Sequence, residues 1–587
     1  MTRTHTVRSW ISTAVAVLVS FPGYAASVVQ PETENISRYV IAAADDGSLL
    51  RPRIEVRRSG KIRIRTEPID SDNEIQDYLD AMVRHIDRAP RDNAGRRKIL
   101  IFTHGGLNSH SGAIGRAFRL VPIFKAEKQY YPIFIAWNSA PFSCYGEHLL
   151  FVRQGERRDL LYGLATSPFY FAGDLARGVS RAPVVLARSI ENSLTQPAGL
   201  YKNSPHAQPY IYAHEANRYL RKNEPDSSAD VTMRNVRESD WRGRETIGQG
   251  AAHIAFTPTK VIGALLLDTI GTGSWDIMLR RANVLFDSPV RLHDFAPTDQ
   301  KRIARVTQLV QKGDAHTPVE PETRKSIDQQ MEALLGESRP KSERKVDYHA
   351  RSRAGAVELL LRRLAQEERN GKSYSITLVG HSMGAIVSNE MLKRHPELSF
   401  DRIVYLAAAC SVKDCQDSIV PYLRRRIAAG RPANFYNLSL HPVAEVSEAV
   451  GGDPGDWSIG GLGKTAAGVA LVPRGSLLEW LDDFFTKPMN YEERRLGKWA
   501  TAITSVEIFP KEVRKYIHLK MFPVGVGNSQ VPEEHGNFAD GKGEVKFWKE
   551  DFIRPTTTYE GHLPRHNFSE TSQSIVETNS RVTPPTR

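Results

Sequence analysis

The chain has 587 residues, 40% of them hydrophobic and 25% charged, with a formal net charge of +12. That length exceeds one ordinary domain and supports a sizeable core, and the composition excludes wholesale disorder and collagen-like repetition. The basic excess is scattered and no nucleic-acid motif accompanies it. It is read as a solvated surface, with peripheral contact to anionic lipid as the one partner class it leaves open and no nucleic acid expected.

Residues 1–25 have the layout of a secretory signal peptide: Arg3 and Arg8, an apolar run Ile11–Phe21, and the small-residue site Gly23-Tyr24-Ala25. The run is shorter than the roughly 20 apolar residues of a spanning helix. This predicts export, to the periplasm or outside the cell, with a retained anchor as the alternative. Without Arg3 and Arg8 the charge falls from +12 to +10. Residues 26–33 read as a linker. Alternation from Arg53 to Arg65 around Ser59-Gly60 predicts a β-hairpin. Ile75, Leu79, Met82 and Ile86 share one face of a helix predicted over Glu74–Arg88.

A β–α alternation follows. Strands are predicted at Ile99–Thr103 and Ile133–Trp137 with a helix over Ala113–Lys125 between them. The pattern resumes with a helix at Ala354–Glu368, a strand at Ser375–Val379, a helix at Ala385–Arg394 and a strand at Ile403–Ala408. It ends with a helix at Ile419–Ala428, a strand at Phe435–Leu440, a helix at Leu477–Phe485 and a last strand at Ile517–Phe522. Such alternation predicts an α/β fold, a mainly parallel sheet with helices on both faces. Its two parts are residues 34–141 and 349–552. Residues 142–348 interrupt it and read as a large, helical inserted cap. Residues 553–587, rich in Thr, Ser and Pro, read as a low-complexity tail.

Three cysteines, Cys144, Cys410 and Cys415, do not make a disulfide framework. One bridge between Cys410 and Cys415 and a pair of free thiols are both open readings. No Cys/His cluster has ligand spacing, so neither metal nor cofactor is expected.

The chemistry centres on Gly380-His381-Ser382-Met383-Gly384. A bare G-x-S-x-G is weak, but here a predicted strand leads in and a predicted helix leads out. That setting holds a serine at the end of a strand and beside the positive end of a helix, in a turn so sharp that the flanking positions 380 and 384 must be small. A second loop, His104-Gly105-Gly106-Leu107, follows the strand Ile99–Thr103. A third, Gly460-Gly461-Leu462-Gly463-Lys464-Thr465, imitates a P-loop, but Ser458 replaces its first glycine and no strand precedes it. It reads as a flexible loop.

Over about residues 96–141 and 350–550 the chain resembles the α/β-hydrolase superfamily, in its esterase and lipase-like branch. The resemblance implies an α/β-hydrolase fold and a serine hydrolase that cleaves a carboxylic ester through an acyl-enzyme, with Ser382 as nucleophile. It implies an oxyanion hole from the backbone amides of Met383 and Gly106, or of its neighbours Gly105 or Leu107. The family's chain order of nucleophile, acid and histidine selects His535, in the loop after the last strand, as base. His395 is expected to face solvent, His441 comes too early, His518 lies at the wrong end of the sheet, and His562 and His566 lie in the tail. For the acid, Glu445 is the first choice, in the turn after the strand Phe435–Leu440, with Glu448, Asp453 and Asp456 as alternatives. The apolar stretch Leu160–Leu186, with Phe169, Tyr170 and Phe171, and with Trp137 nearby, suggests either an acyl pocket for a lipid ester or ordinary core packing. An acyltransferase using the same serine and a non-catalytic binding protein on the same scaffold are the rival functions.

Overall fold

Among the described residues there are twelve strands, the longer ones of the central sheet rich in β-branched and aromatic residues. The twelve are β1 (Val40–Ala43), β2 (Leu49–Val56), β3 (Ile62–Pro68), β4 (Arg97–Thr103), β5 (Tyr131–Ala136), β6 (Val152–Arg153), β7 (Glu156–Arg157), β8 (Asp230–Met233), β9 (Tyr374–His381), β10 (Phe400–Leu406), β11 (Asn434–Ser439) and β12 (Ile517–Met521). The structure is a computed structural model. It describes residues 36–56, 62–69, 71–153, 156–157, 160–184, 186–187, 230–233, 257–287, 354–448, 473, 475–522, 531–539, 541 and 545–553. The expected signal peptide, linker and tail lie outside these residues, apart from Ile553, and so do the hairpin turn at Ser59-Gly60 and the loop Gly460–Thr465.

Ten strands form one sheet in the order β3-β2-β1-β5-β4-β9-β10-β11-β12-β8, and β6 pairs with β7 separately. From β1 to β8 every neighbouring pair is parallel, while β2 runs antiparallel to both β1 and β3. The sheet is therefore mainly parallel, with the expected hairpin at one edge. Its central strands are buried on both faces: every residue of β5 and of β1 is buried, as are Ile99–Thr103 of β4. Burial on both faces is why these segments read as continuous apolar runs rather than alternating ones.

Helices cover the faces. The helix α1 (Asp72–Ile86) starts where Ser71 accepts from the Glu74 N–H, and it buries Tyr78, Leu79, Met82, Val83 and Ile86. Leu79, Met82 and Ile86 lie on the predicted face, Tyr78 and Val83 widen it, and Ile75 is only half-buried. The helix α2 (His110–Glu127) is capped in the same way by Ser109. After the inserted region, α6 (Ala356–Arg369), α7 (Gly384–Arg394) and α9 (Ile419–Ala428) repeat the expected alternation, with a short α8 (Val412–Gln416) between the last two. The predicted helix at Leu477–Phe485 is α11 (Leu477–Trp480), continued as a π-turn over Leu481–Phe485. A further helix, α12 (Trp499–Ile508), has its polar residues Thr501, Thr504, Ser505 and Glu507 spread around it, so no clear periodicity marks it in the sequence.

The inserted region is mostly helical in its described part, but not entirely. Three of its described elements are helices, α3 (Pro141–Leu150), α4 (Leu160–Ser180) and α5 (Thr257–Val284), which pack on one another. Besides the short pair β6 and β7 it contributes β8, which joins the main sheet, pairing in parallel with β12 so that Asp230 lies beside His518. Open backbone groups on the edge of β12 give even a four-residue strand a partner. Among the described residues no helix is long and apolar enough to cross a membrane.

The strand order places the site. The chain lays β5 on one side of β4, then returns after the insertion to lay β9 on the other, with Thr103 opposite Gly380. The order thus reverses between β4 and β9. In open parallel sheets, the crevice beyond the carboxyl ends of the strands at such a reversal is where ligands bind. His104-Gly105-Gly106 leaves the end of β4 there, and Ser382 leaves the end of β9.

Candidate active site

Ser382 connects β9 to α7 in a left-handed backbone conformation, φ +52°. A side chain in that region costs about 1–3 kcal/mol and persists only where the surroundings impose it. Here they do. The Ser382 N–H donates to the Leu406 carbonyl at 2.8 Å, and the Ser382 carbonyl accepts from Ala409 at 3.0 Å and Ala385 at 3.1 Å. The end of β10 thus grips the turn from the side. A Cβ at position 384 would lie 2.1 Å from the Thr103 carbonyl oxygen, and one at 380 would lie 2.8 Å from Ala385 Cα. Both elbow glycines are required by contact, as the sequence reading expects.

The second glycine loop presses against the first. A Cβ at Gly105 would lie 2.7 Å from Ser382 Cβ, and one at Gly106 would lie 3.8 Å from Met383 Cβ and 3.6 Å from Met278 Sδ of α5. Asn108 Nδ2 donates to the carbonyls of Gly105 (3.0 Å) and Gly106 (2.9 Å). In a trans peptide the N–H points opposite the carbonyl. With the Gly105 carbonyl tied to Asn108, the Gly106 N–H is directed away from it. The Leu107 N–H is committed to the Ser139 carbonyl at 3.0 Å, which removes Leu107 from the candidate donors. Among the described residues the backbone N–H groups of Gly106 and Met383 donate to no backbone carbonyl.

His104 is a clip rather than a base. Its Nδ1–H donates to the Gly105 carbonyl at 2.7 Å, and its Nε2 accepts from the Trp137 N–H at 3.2 Å. Its ring stacks on Trp137, and burial pushes its pKa down to about 3. Trp137, 1% exposed, belongs to this packing, so of the two readings open for it the core one holds.

His535 opens a short 3-10 turn, His535–Ala539, and is buried. Its main chain is held at both ends: His381 Nε2–H donates to its carbonyl at 3.0 Å, and its own N–H donates to Glu448 Oε2 at 3.0 Å. The rings of His381 and His535 lie 5.3 Å apart. His381 stands inside the G-x-S-x-G motif, yet only the fold shows that it anchors His535. Burial lowers the pKa of His535 to about 4. Among the described residues its two ring nitrogens and the Ser382 Oγ have no hydrogen-bond partner. His535 thus lies beside His381, the chain neighbour of Ser382, and no hydrogen bond joins the histidine to the serine.

Glu445 lies not in a turn but in the helix α10 (Pro442–Ser447), and its carboxylate accepts from Ser476 Oγ rather than from an imidazole. Burial holds its pKa well above the carboxylate range. Glu448, just past the helix, is the carboxylate in contact with His535, and burial pushes its pKa up to about 8. Asp453 and Asp456 lie outside the described residues, as do His562 and His566. His395 corrects another expectation: it is buried between Glu358 at 3.1 Å and Glu397 at 3.0 Å, and these carboxylates raise its pKa against the opposing effect of burial. His518 bonds Asn434 at 3.0 Å and stacks on Tyr436, away from the crevice. Cys410 and Cys415 are free thiols with their sulfurs 3.6 Å apart, and Cys144 is also free.

The fold class defined by these observations is α/β, with a mainly parallel sheet and a crevice at the reversal of its strand order. No protein-family model matches the chain, and neither a curated protein nor a solved structure shows significant similarity to it.

Proposed function

We propose that the chain is an exported serine hydrolase of the α/β-hydrolase type, cleaving a carboxylic ester with Ser382 as nucleophile. The observation that carries this reading is the left-handed backbone of Ser382 at the end of β9, with Gly105 pressed against it. Strain at a residue gripped from three sides favours a functional role over an ordinary turn. A free hydroxyl and two N–H groups without a backbone acceptor at the ends of β4 and β9, with a neutral buried imidazole beside His381, would supply the parts of acyl transfer.

In the proposed reaction, Ser382 Oγ attacks the ester carbonyl and its proton passes to His535. The oxyanion accepts from the Gly106 and Met383 N–H groups. Collapse expels the alcohol, which takes the proton from His535, and leaves an acyl-serine. Water, deprotonated by His535, then releases the acid and restores the serine. A carboxylate beside His535 stabilises the imidazolium formed in each half. Contact with the His535 main chain favours Glu448 over Glu445 for that role.

Labelling with a fluorophosphonate probe tests the proposal. The wild-type protein should label, and Ser382→Ala and His535→Ala should not. A folded wild-type protein that fails to label, or a Ser382→Ala variant that still hydrolyses esters, rejects it.

A further inference from the structure

The helix α4 is inside out for a soluble protein. Its 21 residues, about 31 Å long at the usual rise, contain two charged side chains, Asp174 and Arg177. Asp174 is buried, taking bonds from Tyr145 at 3.2 Å and His148 at 3.0 Å and pairing with Arg177 at 3.2 Å. The large apolar residues point outward: Leu161 is 79% exposed and Phe169 78%, with Leu164, Phe171, Leu175 and Val179 all more than 40% exposed.

This orientation is fixed by packing. A Cβ at Gly163 would lie 1.6 Å from the Leu150 carbonyl oxygen, and one at Gly178 would lie 2.6 Å from Thr269 Oγ1. Only the small, polar side of α4 fits against α3 and α5, so the apolar side must face out. The neighbouring helix extends the surface with Ile262 and Leu266, both exposed.

We infer that the outward face of α4, with Ile262 and Leu266 of α5, docks on the surface of an anionic lipid bilayer. Two observations favour lipid over a second protein. Protein interfaces carry about one hydrogen bond per 100–200 Å², whereas the serine and threonine hydroxyls of this helix are turned back on its own backbone, Thr166 to the Tyr162 carbonyl, Ser167 to Leu164 and Ser180 to Arg177, and the exposed Tyr162 is an aromatic of the kind that sits at a headgroup boundary. Backbone-satisfied hydroxyls suit a hydrocarbon boundary. The rim carries more exposed positive than negative charge. Arg177 and Lys487 keep 32% and 36% of their side chains exposed, while their ion-pair partners, Asp174 and Asp268, keep 7% and 0%. The exposed carboxylate of Asp276 lies near both cations and offsets them in part. The remaining positive excess complements anionic headgroups.

The docking face also leads to the candidate site. Met278, twelve residues beyond Leu266 on α5 and about 18 Å along it, meets the Gly106 loop. Resting on the proposed function, this makes the substrate an ester presented at a lipid surface.

Flotation of the full chain with vesicles of phosphatidylcholine and 30% phosphatidylglycerol tests the inference, with Ser382→Ala as the working background so that lipid is not consumed. The expected result is binding that weakens at least tenfold in Leu161→Asp/Phe169→Asp and also with pure phosphatidylcholine or at 0.5 M salt. Both substituted side chains are outward, and circular dichroism checks that the fold is kept; Phe169→Ser, which adds no charge, should weaken binding in the same direction. Absence of vesicle binding, or a double variant that binds as its background does, overturns the inference. So does a dimer in sedimentation that the double variant converts to monomer without any lipid binding. The readout does not depend on a reactive serine, so failure of the hydrolase reading leaves it standing.

Discussion

Replacing Gly105 with alanine sets a methyl group where Ser382 Cβ already stands. The added carbon would lie 2.7 Å from Ser382 Cβ, 3.1 Å from His381 Nδ1 and 3.2 Å from the His381 carbonyl oxygen, whereas ordinary contact begins near 3.4 Å. The gap is short by about 0.7 Å, and the serine side cannot supply it, because β10 grips the turn through Leu406 and Ala409. The loop must retreat instead, taking the Gly106 N–H with it. A misplacement of about 1 Å at a reacting centre costs about 10²-fold in rate, comparable to losing one oxyanion donor. Gly105→Ala should therefore lower kcat on a short-chain p-nitrophenyl ester about 10²-fold, with KM nearly unchanged, and slow fluorophosphonate labelling in parallel. Overpacking of this kind should destabilise the fold by about 1–3 kcal/mol in urea titration. Gly146→Ala, in the middle of α3 with nothing within 4 Å of the new Cβ, is the control and should leave the rate unchanged. A Gly105→Ala variant that labels at the wild-type rate refutes the placement of this loop at the reacting centre.

Ser382→Gly should be more stable than Ser382→Ala by about 1 kcal/mol in urea titration, because glycine relieves the strain at φ +52°; equal stabilities would mean that no strain is held there. If Glu448 supplies the carboxylate, kcat/KM should climb as pH passes through about 8, where its carboxyl ionises, and Glu448→Gln should abolish that climb; a flat profile from pH 6 to 9 counts against the role. The same group binds its proton more tightly in the folded state than at its ordinary value of 4.5. Its contribution to stability is thus full below about pH 4.5 and lost as pH rises through about 8, and thermal melts of Glu448→Gln should lack that fall. All three cysteines should alkylate in denaturant without prior reduction and none in the native state, read by mass spectrometry; a mass two hydrogens short would mean a Cys410–Cys415 bridge.

Much of the fold was legible because its elements are local. Strands β4, β5 and β9 to β12 are apolar runs bounded by turn residues, and the helices between them carry period-3.6 faces, so neighbours in sequence suffice to place them. The strand β1 escaped notice because Val-Ile-Ala-Ala is too short to stand out, and β8 because it exists only through the edge of β12. The site divides in the same way. Gly380, Ser382, Met383 and Gly384 sit within five residues, and their sharp turn is a local demand that sequence expresses directly. The anchors of His535 come from His381 and Glu448, 154 and 87 residues away, and no spacing rule connects them.

By itself, the sequence determined the alternation of the central strands and helices, the two glycine loops that end β4 and β9, and the serine with a glycine two residues to either side. These depend on backbone geometry over a few residues. Tertiary structure alone decided that the two loops touch, that Glu448 rather than Glu445 reaches His535, that His395 is buried between carboxylates, and that α4 turns its apolar side outward. Each of those depends on which distant surfaces meet, and the energies that settle it belong to contacts between segments rather than to any segment alone.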